Sequence, residues 1–133
     1  MGAINYLSRI ECMDLVGLGS PGIARHQRSG TLTTAMVREM ASARGIRIAV
    51  VYPSFFEGKA AVPEEWITVG RWTIANNVVC GFPTVAFVAA RESEVDLLRS
   101  NLSSFNGELP AGVVWEEVTS ESRQRGVRAN EPR

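Results

Sequence analysis

Thr84-Val85-Ala86-Phe87-Val88-Ala89-Ala90, followed two residues later by Ser93-Glu94-Val95-Asp96-Leu97-Leu98-Arg99, is the stretch that sets the fold class. The first half is an unbroken apolar run of strand length, entered through the turn signals Cys80-Gly81-Phe82-Pro83. Such a run reads as a well-buried strand. The second half changes period. Val95, Leu98, Leu102 and Phe105 recur at three- and four-residue steps and predict a helix over Ser93 to Phe105. Ser93 and Asp96 form an S-x-x-D capping signal, and Gly107 and Pro110 supply the stop. A strand running into an amphipathic helix is the unit of a sheet layered by helices.

The flanking segments extend this reading. Trp66 to Asn76 alternates, with Ile67 and Val69, and less cleanly Trp72 and Ile74, pointing one way; Gly70 marks a bend or bulge. It should pair antiparallel with the Thr84–Ala90 run. Val113 to Val118 reads as a last strand. Towards the N-terminus, Thr31 to Arg44 is a helix whose apolar stripe is Leu32, Ala35, Met36, Met40 and Ala43, with Gly45 as its left-handed stop. Ile46 to Tyr52 follows as a strand, and its near-continuous apolar centre suggests an interior position covered on both faces. Gly17 to Gly30 has no apolar period and reads as an ordered loop. Ala3–Leu7 and Glu11–Val16 read as two short strands. From Thr119 onward the chain is polar and aperiodic, the composition of a disordered tail. The expected architecture is a single α/β domain over 1–118, with a mixed sheet of five or six strands and two principal helices, and a tail over 119–133.

Composition narrows the function classes. The chain has 133 residues, 45% hydrophobic and 21% charged, with 14 basic and 14 acidic residues and a formal net charge of +0. A chain of this size can bury roughly two-thirds of its unfolded surface, so it needs no metal or disulfide staple. Zero net charge argues against a nucleic-acid partner, which calls for a basic excess. No window approaches the roughly 20 apolar residues of a membrane helix, and Met1 to Tyr6 lacks the basic and apolar regions of a signal peptide. On these grounds alone the expected compartment is cytoplasmic. The basic residues are all Arg except Lys59, a bias expected of a GC-rich genome.

Gly17-Leu18-Gly19-Ser20-Pro21-Gly22 fits G-x-G-x-x-G after a predicted strand. A dinucleotide site needs a helix opening directly from those glycines, to bring its N-terminus to the pyrophosphate. The aperiodic run Pro21 to Gly30 is expected to intervene, and no acidic residue follows at the right distance. His26, the only histidine, has no triad or zinc partners at suitable spacing, so no metal and no cofactor is expected. Arg25, His26 and Arg28 form a basic cluster that can hold an anion such as phosphate. Cys12 and Cys80 belong to no C-x-x-C motif. They are either two separate buried thiols or, outside the cytoplasm, a pair. Trp66, Trp72, Phe55, Phe56 and Phe82 suit a core, or less readily a sugar-binding platform. Glu64-Glu65 and Glu116-Glu117 are poor acid–base pairs, since strand neighbours point to opposite faces.

Met1-Gly2-Ala3-Ile4-Asn5-Tyr6, then Met13-Asp14-Leu15-Val16-Gly17-Leu18-Gly19-Ser20-Pro21, resembles a pattern D-x-G-A-I-x-Y followed by D-L-x-G-L-x-x-P. That pattern opens the C-terminal extracytoplasmic domain of polytopic membrane glycosyltransferases, those similar to the polyprenyl- or dolichyl-phosphate-sugar-dependent mannosyl- and arabinosyltransferases. The later landmark, a strand ending in a proline or aromatic, is matched by Val50-Val51-Tyr52-Pro53-Ser54-Phe55. The resemblance is specific over about 20 residues, looser to Pro110, and stops past Glu117. It implies an accessory domain, inactive alone, packed against the transmembrane part of a parent transferase on the extracytoplasmic face. The family's first Asp would fall just before Met1. Its acidic catalytic residues and metal lie in an earlier loop with no counterpart here, so no residue inherits a catalytic role. Asp14, Gly17, Leu18 and Pro21 carry the motif. Asp14 is expected to bond backbone amides of the loop, and Gly17 to supply a φ > 0 turn. The alternative expectation is a free-standing module binding a nucleotide or anion through loop 17–30.

Overall fold

A computed structural model describes residues 10–17, 19–77 and 81–119. The expected strand at Ala3–Leu7, Leu18, Cys80 and most of the expected tail lie outside them. The chain divides into two compact units: residues up to Arg47 with Phe56–Glu65, and Ile48–Phe55 with Trp66 onward.

Among its described residues the first unit holds two α-helices, α1 (Pro21–Ser29) and α2 (Thr34–Ala43). α2 starts at Thr33, whose side chain accepts a hydrogen bond from the Met36 N–H. That cap satisfies an N–H with no intrahelical partner. It stops where expected: Gly45 has φ +65°, and the Ile46 N–H reaches back to the Ala41 carbonyl. The buried face differs from the expected stripe. Val37 and Ala41 are 2% and 1% exposed, whereas Ala35 and Ala43 are exposed and Met36 and Met40 half-buried. The small i, i+4 pair lets the helix sit close, and the larger side chains flank it. Glu11–Val16 is not a strand but an irregular segment entering a turn. Arg38 clasps Glu65 through one edge of its guanidinium, Nε donating to Oε1 and Nη2 to Oε2, the latter at 2.9 Å. The Arg38 guanidinium, through this hydrogen bond, holds the Glu65 carboxyl below its ordinary range.

The second unit is a four-stranded sheet with one helix. Its strands are β1 (Ile48–Val51), β2 (Ile67–Ile74), β3 (Thr84–Ala89) and β4 (Val113–Glu117), in the order β1-β3-β2-β4, with every pairing antiparallel. The class is α/β as expected. The described strands number four rather than five or six, the sheet is antiparallel rather than mixed, and the described α-helices are three rather than two. β1 is an edge strand, not an interior one: Ile48 is 43% and Val50 41% exposed. Apolar continuity measured propensity there, not burial. β3 takes the central place, with Val85 through Ala89 all buried.

β2 shows how the core is phased. Ile67 and Val69 occupy odd positions, Trp72 and Ile74 even ones, so a regular strand would put the two pairs on opposite faces. A register shift between Thr68 and Gly70 inserts one residue. Such a bulge moves the following side chains across the sheet. All four then pack on one cluster with Val85, Phe87 and Ala89 of β3. Val95, Leu98 and Leu102 of α3 (Glu92–Phe105) cover it. α3 starts one residue before the expected cap, with Arg91 at the N-cap and no side-chain capping bond, so Ser93 lies within the first turn. Trp72 meets Phe87 edge-on at 4.6 Å, and Trp115, opposite Trp72 in register, meets Phe87 at 6.0 Å. The Trp115 ring lies over Gly70: a Cβ there would come within 2.7 Å of Trp115 Cζ3 and closer still to its neighbours.

Gly70→Ala should therefore cost on the order of 1–3 kcal/mol by overpacking. Urea unfolding reads this as a lowered midpoint, and the loss should shrink when Trp115→Leu is added. An unchanged midpoint in Gly70→Ala would show that Trp115 swings away freely. The Arg38–Glu65 pair predicts a pH effect of fixed sign. Because the folded Glu65 pKa is lowered, its stabilisation is present above the ordinary carboxylate pKa and is lost as pH falls through the folded value. Both side chains are exposed, so the effect is small and screened. A double-mutant cycle with Arg38→Ala and Glu65→Ala should give a coupling at pH 7 that disappears in strong acid and in 1 M salt (about a 3 Å Debye length); persistence in acid would contradict the assignment.

Candidate functional site

The motif residues converge on one turn. Asp14 is buried. Its Oδ1 accepts the Val16 N–H and its Oδ2 the Gly19 N–H, both at 3.0 Å. The Asp14 N–H donates to Ser20 Oγ at 3.0 Å, and the Gly17 N–H donates to the Asp14 carbonyl at 3.0 Å. Gly17 has φ +93°, and a Cβ on it would lie 2.8 Å from Ala24 Cα. It is therefore glycine for two reasons, backbone sign and close approach. These are the local roles anticipated for Asp14 and Gly17. Leu18 lies outside the described residues.

Pro21 opens α1 at its first position, where a missing N–H costs nothing and a fixed φ helps. The run Gly17 to Gly30, expected to be a loop, is thus mostly helix. It was hidden because Ile23 is its one buried side chain, too little for a 3.6-residue period. Its end signals were present in the sequence: Ser20-Pro21 at the start, and Gly30, with φ +68°, at the stop. There the Thr31 N–H donates to the His26 carbonyl and the Gly30 N–H to that of Gln27. Gln27 Nε2 ties α1 to the Leu15 carbonyl at 2.9 Å. Ser20, Ala24 and Gln27 are structural partners that the motif gave no reason to single out.

A helix does open directly from the glycine loop, contrary to expectation. The loop is nonetheless poorly suited to a pyrophosphate. The Val16 and Gly19 amides are held by Asp14, the Gly17 amide by the Asp14 carbonyl, and the Ser20 amide by the Gly17 carbonyl. At these four amides a phosphate would meet donors already bonded, two of them to a carboxylate.

The basic trio is split. Residues three apart on a helix are neighbours, so Arg25 and Arg28 share a face of α1. His26 turns aside and its Nδ1 lies 2.9 Å from Thr31 Oγ1, which also meets Ser29 Oγ at 2.8 Å. Pro21, Ala24, Arg25, Arg28 and Ser29 line an open depression of about 460 Å³. Both arginines are exposed, and among the described residues neither has a carboxylate partner.

The other candidates resolve into structure. Of the five aromatics, Trp72 packs on the core, while the Phe82 ring lies 5.7 Å from that of Phe55 and 6.1 Å from that of Tyr52. Glu65 holds Arg38, and Glu117 meets Arg99 at 2.6 Å. Cys12 is a half-buried free thiol. Among the described residues no three His, Cys, Asp or Glu gather as a metal site, and no helix is long and apolar enough to cross a membrane.

Residues 1–95 match the model of a family described as a domain of unknown function (DUF8728), and the chain belongs to that family. No curated protein and no solved structure matches the chain.

Asp14→Ala should strand two amides and destabilise the first unit by about 1–3 kcal/mol. Hydrogen exchange should accelerate at Val16 and Gly19 ahead of the α2 amides. If both amides kept their protection, the carboxylate would not be what holds the turn.

Proposed function

We propose that this member of the DUF8728 family is the extracytoplasmic accessory domain of a polyprenyl- or dolichyl-phosphate-sugar-dependent membrane glycosyltransferase, without chemistry of its own. The observation that carries this reading is the use made of the shared motif. Asp14, Gly17 and Pro21, the described residues that resemble the transferase pattern, fold one turn and start one helix. A motif consumed in building a turn is what a docking scaffold needs; an active site would keep such groups free.

Exposed apolar side chains support the same reading. Ile10 precedes the Met13–Pro21 segment and Val16 lies within it, and they stand 63% and 46% exposed. Ordinary surfaces tolerate scattered apolar residues, and exposed ones at the segment of resemblance suit contact with another protein surface. Trp72, Phe87 and Trp115 are engaged with one another, which fits a scaffold better than an open sugar platform.

The test begins with the gene. Genomic sequence upstream of Met1 should continue in frame through codons for several apolar helices; an in-frame stop directly upstream would sink the proposal. In membranes carrying the complete protein, sugar transfer from a polyprenyl-phosphate donor should fall strongly when Gly17→Val disrupts the turn. Unchanged transfer in that variant would mean that the domain is dispensable to the reaction.

A further inference from the structure

Arg25 and Arg28 differ from the arginines that have found a carboxylate. Arg38 clasps Glu65, Arg44 lies 3.8 Å from Glu11, and Arg99 meets Asp96 and Glu117 at 2.8 Å and 2.6 Å. The sequence from Leu15 to Arg38 contains no Asp or Glu at all. α1 therefore presents two like charges one turn apart with no acidic residue of its own to offset them. Like charges at this spacing are mildly unfavourable in a helix. An anion placed between them removes that repulsion and gains charge-assisted hydrogen bonds.

The mounting of α1 is rigid enough to keep this face outward. Ile23 is buried on one side, Gln27 is tied to the Leu15 carbonyl, and Gly17 presses its backbone on Ala24. Pro21, Ala24 and Ser29 line an open depression together with the two arginines. Its floor is small and neutral, so a group the size of phosphate can approach without displacing a large side chain. Two planar forks offer paired N–H donors that match the oxygens of a tetrahedral oxyanion. The Val16, Gly17, Gly19 and Ser20 amides are already bonded within the turn, which leaves the arginine side chains as the charged donors of this face.

We propose that the Arg25–Arg28 face of α1 binds a phosphate group, carried as a monoester or diester by a lipid headgroup or by a soluble ester. The site is open and built on charge, so its affinity is modest and falls steeply with salt. The inference does not depend on the accessory-domain reading, since a phosphate site on α1 serves a free-standing module equally well.

The whole chain is titrated with inorganic phosphate while the Arg25 and Arg28 Nε–H resonances are followed. In parallel it is sedimented with vesicles of phosphatidylglycerol in phosphatidylcholine, and with phosphatidylcholine alone. Arg25→Gln with Arg28→Gln should weaken binding about tenfold or more, the scale of losing charged hydrogen bonds. Arg71→Gln with Arg91→Gln removes the same charge elsewhere and should leave binding nearly intact. Arg25→Lys with Arg28→Lys, which keeps the charge and loses the forks, should fall between and guards against a folding defect in the glutamine variant. Binding of phosphate without vesicles assigns a soluble ester; binding of anionic vesicles without free phosphate assigns a headgroup. Failure of both probes, or equal loss in both glutamine variants, overturns the site.

Discussion

The Asp14 carboxylate is the constraint on which the first unit turns. One side chain satisfies two backbone amides that the turn would otherwise leave without partners. An unsatisfied buried amide costs about 1–3 kcal/mol, whereas an exposed ion pair contributes about 0–1 kcal/mol. The Asp14 bonds therefore outweigh the Arg38–Glu65 clasp, though the clasp is the more conspicuous feature of the surface. With the turn closed, Gly17 can hold its positive φ and lie against Ala24, and that contact sets the direction in which α1 leaves. The outward placement of Arg25 and Arg28 follows from that direction. The chemistry available on α1 is thus decided one turn before the helix begins.

The second unit depends on a comparable device. Gly70 admits the Trp115 ring, and the bulge beside it brings Trp72 and Ile74 onto the face already occupied by Ile67 and Val69. Without the added residue, half of β2 would turn its apolar side chains away from α3. One helix covers this face only in part. Ile48 and Val50 share the side of Phe87 and Ala89 by register, yet they stay partly open because β1 lies at the edge.

What the sequence revealed followed the strength of its periodicity. The stripe Val95, Leu98, Leu102 and Phe105 and the run Thr84–Ala90 each have many apolar positions, and both became the elements they suggested, although Phe105, at the end of the helix, stands 47% exposed and outside the buried cluster. β1 shows the limit of that signal. Four apolar residues in a row fit an interior strand and an edge strand alike, and only the pairing order separates them. α1 fails in the opposite direction. One buried isoleucine gives no period, so the helix is written in its ends, Ser20-Pro21 and Gly30, and in a side-chain bond from Gln27 that no spacing rule supplies. The split of Arg25 and Arg28 from His26 became visible only once that helix was known. The local roles of Asp14 and Gly17 were legible because they act within a few residues of themselves.

The glycine loop shows why a motif string underdetermines chemistry. G-x-G-x-x-G at Gly17–Gly22 does lead into a helix, the geometry that places amides around a phosphate elsewhere. Asp14, three residues before the first glycine, changes the outcome. Its carboxylate takes the Val16 and Gly19 amides and places a negative charge within the turn that precedes the helix. The basic side chains of this region stand on the first helix, on a face turned to solvent. A backbone cradle excludes water and discriminates by shape; two exposed guanidinium groups attract charge and discriminate little. The turn therefore spends on its own closure the Val16 and Gly19 amides, and leaves charge on this part of the chain to side chains.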